Sequence, residues 1–96
     1  MDYQQGKIYS IRSPNTEKYY IGSTIQSLSQ RFAGHKKKNT SSEQIISLGD
    51  AYIELIELFP CGSKMELNKR EGELQREHKA NIVNKYFAHN SPEQKK

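Results

Sequence analysis

Tyr9, Tyr20, Arg31, His35 and Glu71 are the residues of this 96-residue chain whose types could together act on a phosphate group. A guanidinium binds phosphate oxygens as a planar fork and offsets charge that grows on them. Phenols and an imidazole can orient a water and move its proton, although a free phenol, with a pKa of about 10, needs help to do so. A lone carboxylate suits a hard cation that keeps most of its waters. Other chemistries find no support: Cys61, His78 and His89 are too scattered for zinc, and there is no Gly-rich phosphate loop or Ser/His/Asp arrangement.

Two β-type runs carry the phenols. Lys7-Ile8-Tyr9-Ser10-Ile11-Arg12 and Lys18-Tyr19-Tyr20-Ile21-Gly22 flank the turn-rich Ser13-Pro14-Asn15-Thr16-Glu17, the pattern of a hairpin. A four-residue loop over 13–16 sets Arg12 opposite Glu17 and Tyr9 opposite Tyr20, so both phenols share a face, about 5 Å apart at Cβ. Ser27 with Gln30 three residues on is a capping box, which predicts a helix from Leu28 to Lys38. Leu28 and Phe32 mark its core side, and Arg31 and His35 form the neighbouring polar stripe. Cross-strand packing, a surface charge and a helix-end histidine are the ordinary fates of such residues. Their convergence is what suggests a site.

Glu43 to Leu48 reads as a short helix closed by Gly49, and Ala51 to Phe59 as a strand. Ile53 and Leu55 on one side of that strand, with Ile56 and Leu58 on the other, imply layers above and below and predict an interior or well-covered strand. Ser63 and Glu66 form a second capping box for a long helix reaching about Lys79. Asn81 to Phe87 reads as a return segment.

The long helix holds an anomaly. Its apolar stripe runs Leu67, position 71, Leu74, position 78, and position 71 is Glu. An ionised group on a packing face costs several kcal/mol, on the order of the desolvation of one charge, unless it is paired or bound to a metal. Two explanations stand: an internal ion pair with Arg70 or Arg31, or a metal ligand facing the tyrosines. The neighbouring Gly72, costing about 1 kcal/mol relative to Ala in mid-helix, is tolerable where a backbone must come close to another element. Glu54 and Glu57 are more distant candidates, so a single metal fits the scarcity of inward acids better than a pair.

The bulk properties bound the rest. Ninety-six residues with 33% hydrophobic content and net charge +4 and a mean hydropathy of −0.94 make one domain with a modest core. No run approaches the roughly 20 apolar residues of a membrane span, and no signal-peptide core opens the chain. A single cysteine, Cys61, reads as a loop thiol and fits a reducing, intracellular compartment, cytoplasm or nucleus. Residues 18–42 hold Arg31 with Lys18, Lys36, Lys37 and Lys38 and no acid. Such a one-signed patch favours a polyanion, although lysines in a last turn also suit the helix dipole.

With these residues in hand, the chain resembles the GIY-YIG nuclease domains, of the stand-alone catalytic kind found in homing endonucleases and phages or viruses. The likeness runs from about Gly6 to Phe87 and rests on Lys7-Ile8-Tyr9, Tyr20-Ile21-Gly22, Gln30-Arg31-Phe32 with His35, Arg70-Glu71, and Val83-Asn84-Lys85. Lys7 departs from the first glycine of the family name. The resemblance implies an α+β fold with a small three-stranded antiparallel sheet, hairpin plus one strand, flanked by helices. It implies a catalytic domain over 1–88 followed by a tail over 89–96. The expected activity is endonucleolytic hydrolysis of DNA, double-stranded or branched, with Mg²⁺ or Mn²⁺ on Glu71 and no small-molecule cofactor or membrane partner. Tyr9, Tyr20, Arg31, His35, Glu71 and Asn84 would be the catalytic set, with Tyr9 as general base, and Arg31, Lys36, Lys37 and Lys38 the DNA contacts. A non-cleaving nucleic-acid-binding module on the same scaffold is the alternative.

Overall fold

The computed structural model describes residues 2–37 and 42–83; Lys38, Asn84 and the tail expected over 89–96 lie outside them. Strands β1 (Lys7–Arg12) and β2 (Tyr20–Thr24) are followed by helix α1 (Leu28–Lys37), the short helix α2 (Glu43–Ile46), strand β3 (Tyr52–Leu58) and helix α3 (Lys64–Glu77). The fold is α+β, with a three-stranded antiparallel sheet between helices. Both capping boxes form: the Ser27 hydroxyl accepts from the Gln30 amide at 3.2 Å, and that of Ser63 from the Glu66 amide at 3.3 Å. Helix α2 ends at Ile46 with Ser47 as its C-cap, short of the expected Leu48, and Gly49 takes the left-handed region, φ 90°, in the turn that follows. Helix α3 stops at Glu77 rather than Lys79, with His78 as its C-cap.

The hairpin register differs from the expected one by two residues. Tyr9 pairs with Gly22 and Ile11 with Tyr20. The tight loop does not form because Asp50 accepts hydrogen bonds from the Ser13 hydroxyl and the Asn15 amide, drawing the turn toward the loop before β3. Tyr19 is taken out of the ladder too, bridging in parallel to Ile82. Since side chains alternate with a period of two, a two-residue slip keeps every side chain on its face. Tyr9 and Tyr20 therefore remain on one side of the sheet, as diagonal rather than direct neighbours.

The strand order is β2-β1-β3, so β3 is an edge strand and not the interior one expected. The interior strand is β1, whose Ile8, Tyr9, Ser10 and Ile11 are all fully buried. The misleading two-sided apolar pattern of β3 has a physical cause. Tyr9 pairs with Leu55 but Ile8 with Glu57, so the ladder bulges at Ile56. The bulge resets the alternation and returns Leu58, opposite Lys7, to the Leu55 side. Leu58 is 64% exposed there.

Each face of the sheet has its own core. On one, Ile8, Tyr19 and Ile21 bury against Leu67 and Leu74 of α3, with Ile82 and Cys61. Cys61 lies in the loop between β3 and α3, as expected, with its side chain packed into this core. On the other face, Tyr9 and Ile11 bury against Ile45 of α2, with Tyr20, Leu28 and Phe32 around them. Tyr9 can lie across β2 only because its partner there has no side chain. A Cβ on Gly22 would stand 2.5 Å from the Tyr9 hydroxyl oxygen and 3.0 Å from the Tyr20 ring. Among the described residues no helix is long and apolar enough to cross a membrane.

Gly22→Ala should therefore act as an overpacking substitution and cost about 1–3 kcal/mol. A thermal melt should show Tm lowered by roughly 4–8 °C for each kcal/mol lost; an unchanged Tm would mean that Tyr9 does not press on β2.

Candidate active site

The Tyr9 hydroxyl is the centre of a four-residue network. It lies 2.6 Å from His35 Nε2, and Arg31 Nε donates to it at 3.1 Å. His35 is 3% exposed, contrary to a plain helix-end histidine, and its Nδ1 lies 2.9 Å from the Ser42 hydroxyl. The i, i+4 spacing of Arg31 and His35 on α1 brings both onto the same phenol. Tyr20 stands beside them, its ring 6.4 Å from that of Tyr9 and edge-on to His35 at 5.0 Å. Neither the Tyr20 hydroxyl nor the Arg31 Nη groups have a hydrogen-bond partner among the described residues. Both remain available to a ligand.

The proton positions around Tyr9 follow by counting. A guanidinium has no acceptor, so Arg31 must donate to the phenolic oxygen. The phenol is fully buried, its own proton needs an acceptor, and among the described residues only His35 Nε2 can provide one. His35 is then the neutral tautomer with its proton on Nδ1, donated to Ser42. Burial, with the nearby Tyr20 phenol adding to it, pushes the Tyr9 pKa well above the usual tyrosine value in spite of the Arg31 contact. The resting residue is a phenol whose own environment does not depress its pKa. Tyr20 is also raised, by burial and then by the charge of Glu71.

Glu71 does not face the tyrosines as expected but approaches from the other side of the sheet, because α3 packs on the face that carries Ile21 and Ser23. Its Oε1 accepts from the Ser23 hydroxyl and its Oε2 from Gln75 Nε2 at 3.0 Å, while the same Gln75 nitrogen donates to the Ile21 carbonyl at 3.1 Å. Ile21 and Ser23 face α3, whereas Tyr20 and Gly22 face α1. Only β2, the outer strand, separates the carboxylate from the phenols. The charge is nevertheless felt across it, by Tyr9, Tyr20 and Arg31.

The expected ion pair of Glu71 with Arg70 or Arg31 is absent among the described residues. Arg70 instead forks onto Glu57 at 2.7 and 2.8 Å and reaches Glu73 at 3.0 Å. Glu57 and Glu54, the distant candidate ligands, are thus committed to Arg70 and Arg12. Glu71 is held by the neutral donors Ser23 and Gln75, and burial raises its pKa above the usual carboxylate value despite those bonds and the charge of Arg31. A half-buried carboxylate without an ion-pair partner among the described residues fits a hard cation by the chemistry of its donors. Among the described residues no cluster of three or more His, Cys, Asp or Glu side chains surrounds it, so other ligands would be water or substrate.

Of the basic side chains, Lys36 lies with Nζ 4.6 Å from the Phe32 ring, and Lys37 is exposed at the end of α1. Ser23, Gln75 and Ser42 were not foreseen. Gln75 sits at i+4 from Glu71, a spacing that sequence alone could have flagged; nothing local marks the other two.

A family model described as the GIY-YIG catalytic domain matches residues 5–86. The chain belongs to the GIY-YIG family. No curated relative and no solved structure matches it. The GIY-YIG domains are a nuclease family, and the site described here sits on the elements that carry the family name. Gly22, the last residue of the second element, is the one whose missing side chain admits the Tyr9 ring. Lys7, at the departure from the name, uses its ammonium to bridge the Gln5 and Gln26 carbonyls at 2.8 and 2.9 Å, away from the phenols.

Glu71→Gln can keep both hydrogen bonds, since the Ser23 hydroxyl can turn to accept. Burial raises the folded-state pKa of Glu71 above its unfolded value, so folding is opposed by the charged form above that folded pKa. The penalty disappears as pH falls below the unfolded value of about 4.3. In metal-free buffer Glu71→Gln should melt higher than the parent at pH 7.5, and the gain should shrink toward pH 4. A gain independent of pH would show that the buried charge is not its source.

Proposed function

We propose that this chain is a divalent-metal-dependent endonuclease that hydrolyses phosphodiester bonds of DNA. The observation that carries the reading is the guanidinium of Arg31. It holds the buried Tyr9 phenol by Nε alone and leaves its terminal nitrogens available at the same spot. A phosphate accepting from those nitrogens sits beside the Tyr9 and Tyr20 hydroxyls, where an attacking water would also be oriented.

Tyr9 acts as a relay rather than as a preformed phenolate. As water attacks phosphorus, its proton passes to the Tyr9 oxygen while the Tyr9 proton passes to His35 Nε2. The P–O bond to water forms, the P–O bond to the leaving oxygen breaks, and that oxygen takes a proton from solvent. His35 becomes an imidazolium and later returns its proton to solvent. The raised Tyr9 pKa suits this role, because a relay must hold its own proton until another arrives. Arg31 offsets the charge growing on the phosphate oxygens, and Tyr20 donates to one of them. Glu71 would hold a single Mg²⁺ or Mn²⁺, which when bound supplies positive charge to the leaving oxygen and phosphate.

Lys36 and Lys37 add positive charge beyond Arg31 along the end of α1, Lys38 follows them in sequence, and this run suits the backbone of a double-stranded or branched DNA. The acid-free stretch over 18–42 supports this more than any single lysine does.

Supercoiled plasmid incubated with purified protein and Mg²⁺ should be nicked or linearised, and EDTA should stop the reaction. Arg31→Ala should lower kcat about 10²–10³-fold, as losing a charge-stabilising donor does. Tyr9→Phe should cost about 10²–10⁴-fold, as losing proton transfer does. Mg²⁺ should raise the Tm of the parent but not that of Glu71→Gln. Binding without cleavage would favour the non-cleaving module, and full activity in Arg31→Ala would sink the site.

A further inference from the structure

Ser42 immediately precedes α2, the place from which a serine ordinarily caps a helix. Its hydroxyl makes no capping bond. It turns to His35 instead, 2.9 Å from Nδ1, and the residue is fully buried. The α2 amides are served by the Ser42 carbonyl, which accepts from Ile45 and Ile46 at 2.9 and 3.0 Å, so the side chain is spared for the histidine.

We propose that Ser42 is a positioning residue for the nuclease reaction: by accepting the His35 Nδ1–H, it keeps the Nε2 lone pair aimed at the Tyr9 hydroxyl. The inference rests on the nuclease reading above and adds a residue that never touches the substrate. Its chemistry follows from the proton count. Two neutral tautomers of His35 are available, and only the one with the proton on Nδ1 can receive the Tyr9 proton at Nε2. The same acceptor serves the imidazolium formed by the relay, which carries a proton on both nitrogens. Without the Ser42 oxygen the Nδ1–H loses the acceptor that stands 2.9 Å away, in both states that the relay visits. The other tautomer then gains, and it presents Nε2–H to a phenol whose own proton has nowhere to go.

The test combines ring-nitrogen NMR of the ¹⁵N-labelled full chain, at a pH where His35 is neutral, with plasmid cleavage in Mg²⁺. The parent should show His35 protonated at Nδ1. Ser42→Ala should shift the tautomer toward Nε2–H and lower kcat by about 10–100-fold, the cost seen when a metal-bound histidine loses its outer partner, with KM little changed. Ser42→Thr, which keeps the hydroxyl, should restore both. A parent His35 protonated at Nε2 overturns the proposal even if no variant folds, and so does a Ser42→Ala chain that cleaves with the parent's kcat. A parent chain that cleaves no DNA overturns the nuclease reading itself, whatever its tautomer.

Discussion

The buried hydroxyl of Tyr9 constrains everything around it. A phenol with no exposure on the central strand must place its proton on a neighbour, and His35 Nε2 at 2.6 Å is the acceptor present. From that follow the tautomer of His35, the orientation of Arg31 and the use of Ser42 away from its own helix. The packing needed to bury the ring is equally exacting, since the strand beside it must carry glycine at position 22. The same burial that locks the network also holds the phenol protonated, so any chemistry at Tyr9 must be an exchange of protons.

The second constraint is a buried charge with no contact ion pair among the described residues. Glu71 is held in place by Ser23 and Gln75 without a cation among the described residues, while Arg70 one position earlier is saturated by Glu57 and Glu73. A single step along the helix therefore separates a structural ion pair from a carboxylate that remains available. Because α3 packs against the outer strand, that carboxylate and the phenols lie on opposite faces of β2.

Much of this was legible in the residues. The two capping boxes located α1 and α3, and the helical wheel marked Glu71 as out of place before any contact was known. The side on which Tyr9 and Tyr20 lie survived an incorrect register because the error was an even number of residues. What sequence concealed was long-range. Asp50 reaching back to Ser13 and Asn15 reset the hairpin, and a bulge at Ile56 made an edge strand look interior. Ser42 gave no signal, because a serine before a short helix normally has a local task. The roles of Asn84 and Lys38 fall outside the described residues.

A structure of the protein soaked with Mn²⁺ and bound to a short duplex tests the central claim most directly. One ion should sit on the Glu71 carboxylate, and a phosphate between the Arg31 terminal nitrogens and the Tyr9 and Tyr20 hydroxyls. An ion bound elsewhere, with Glu71 still held by Ser23 and Gln75 alone and the phosphate remote from Arg31, would contradict it.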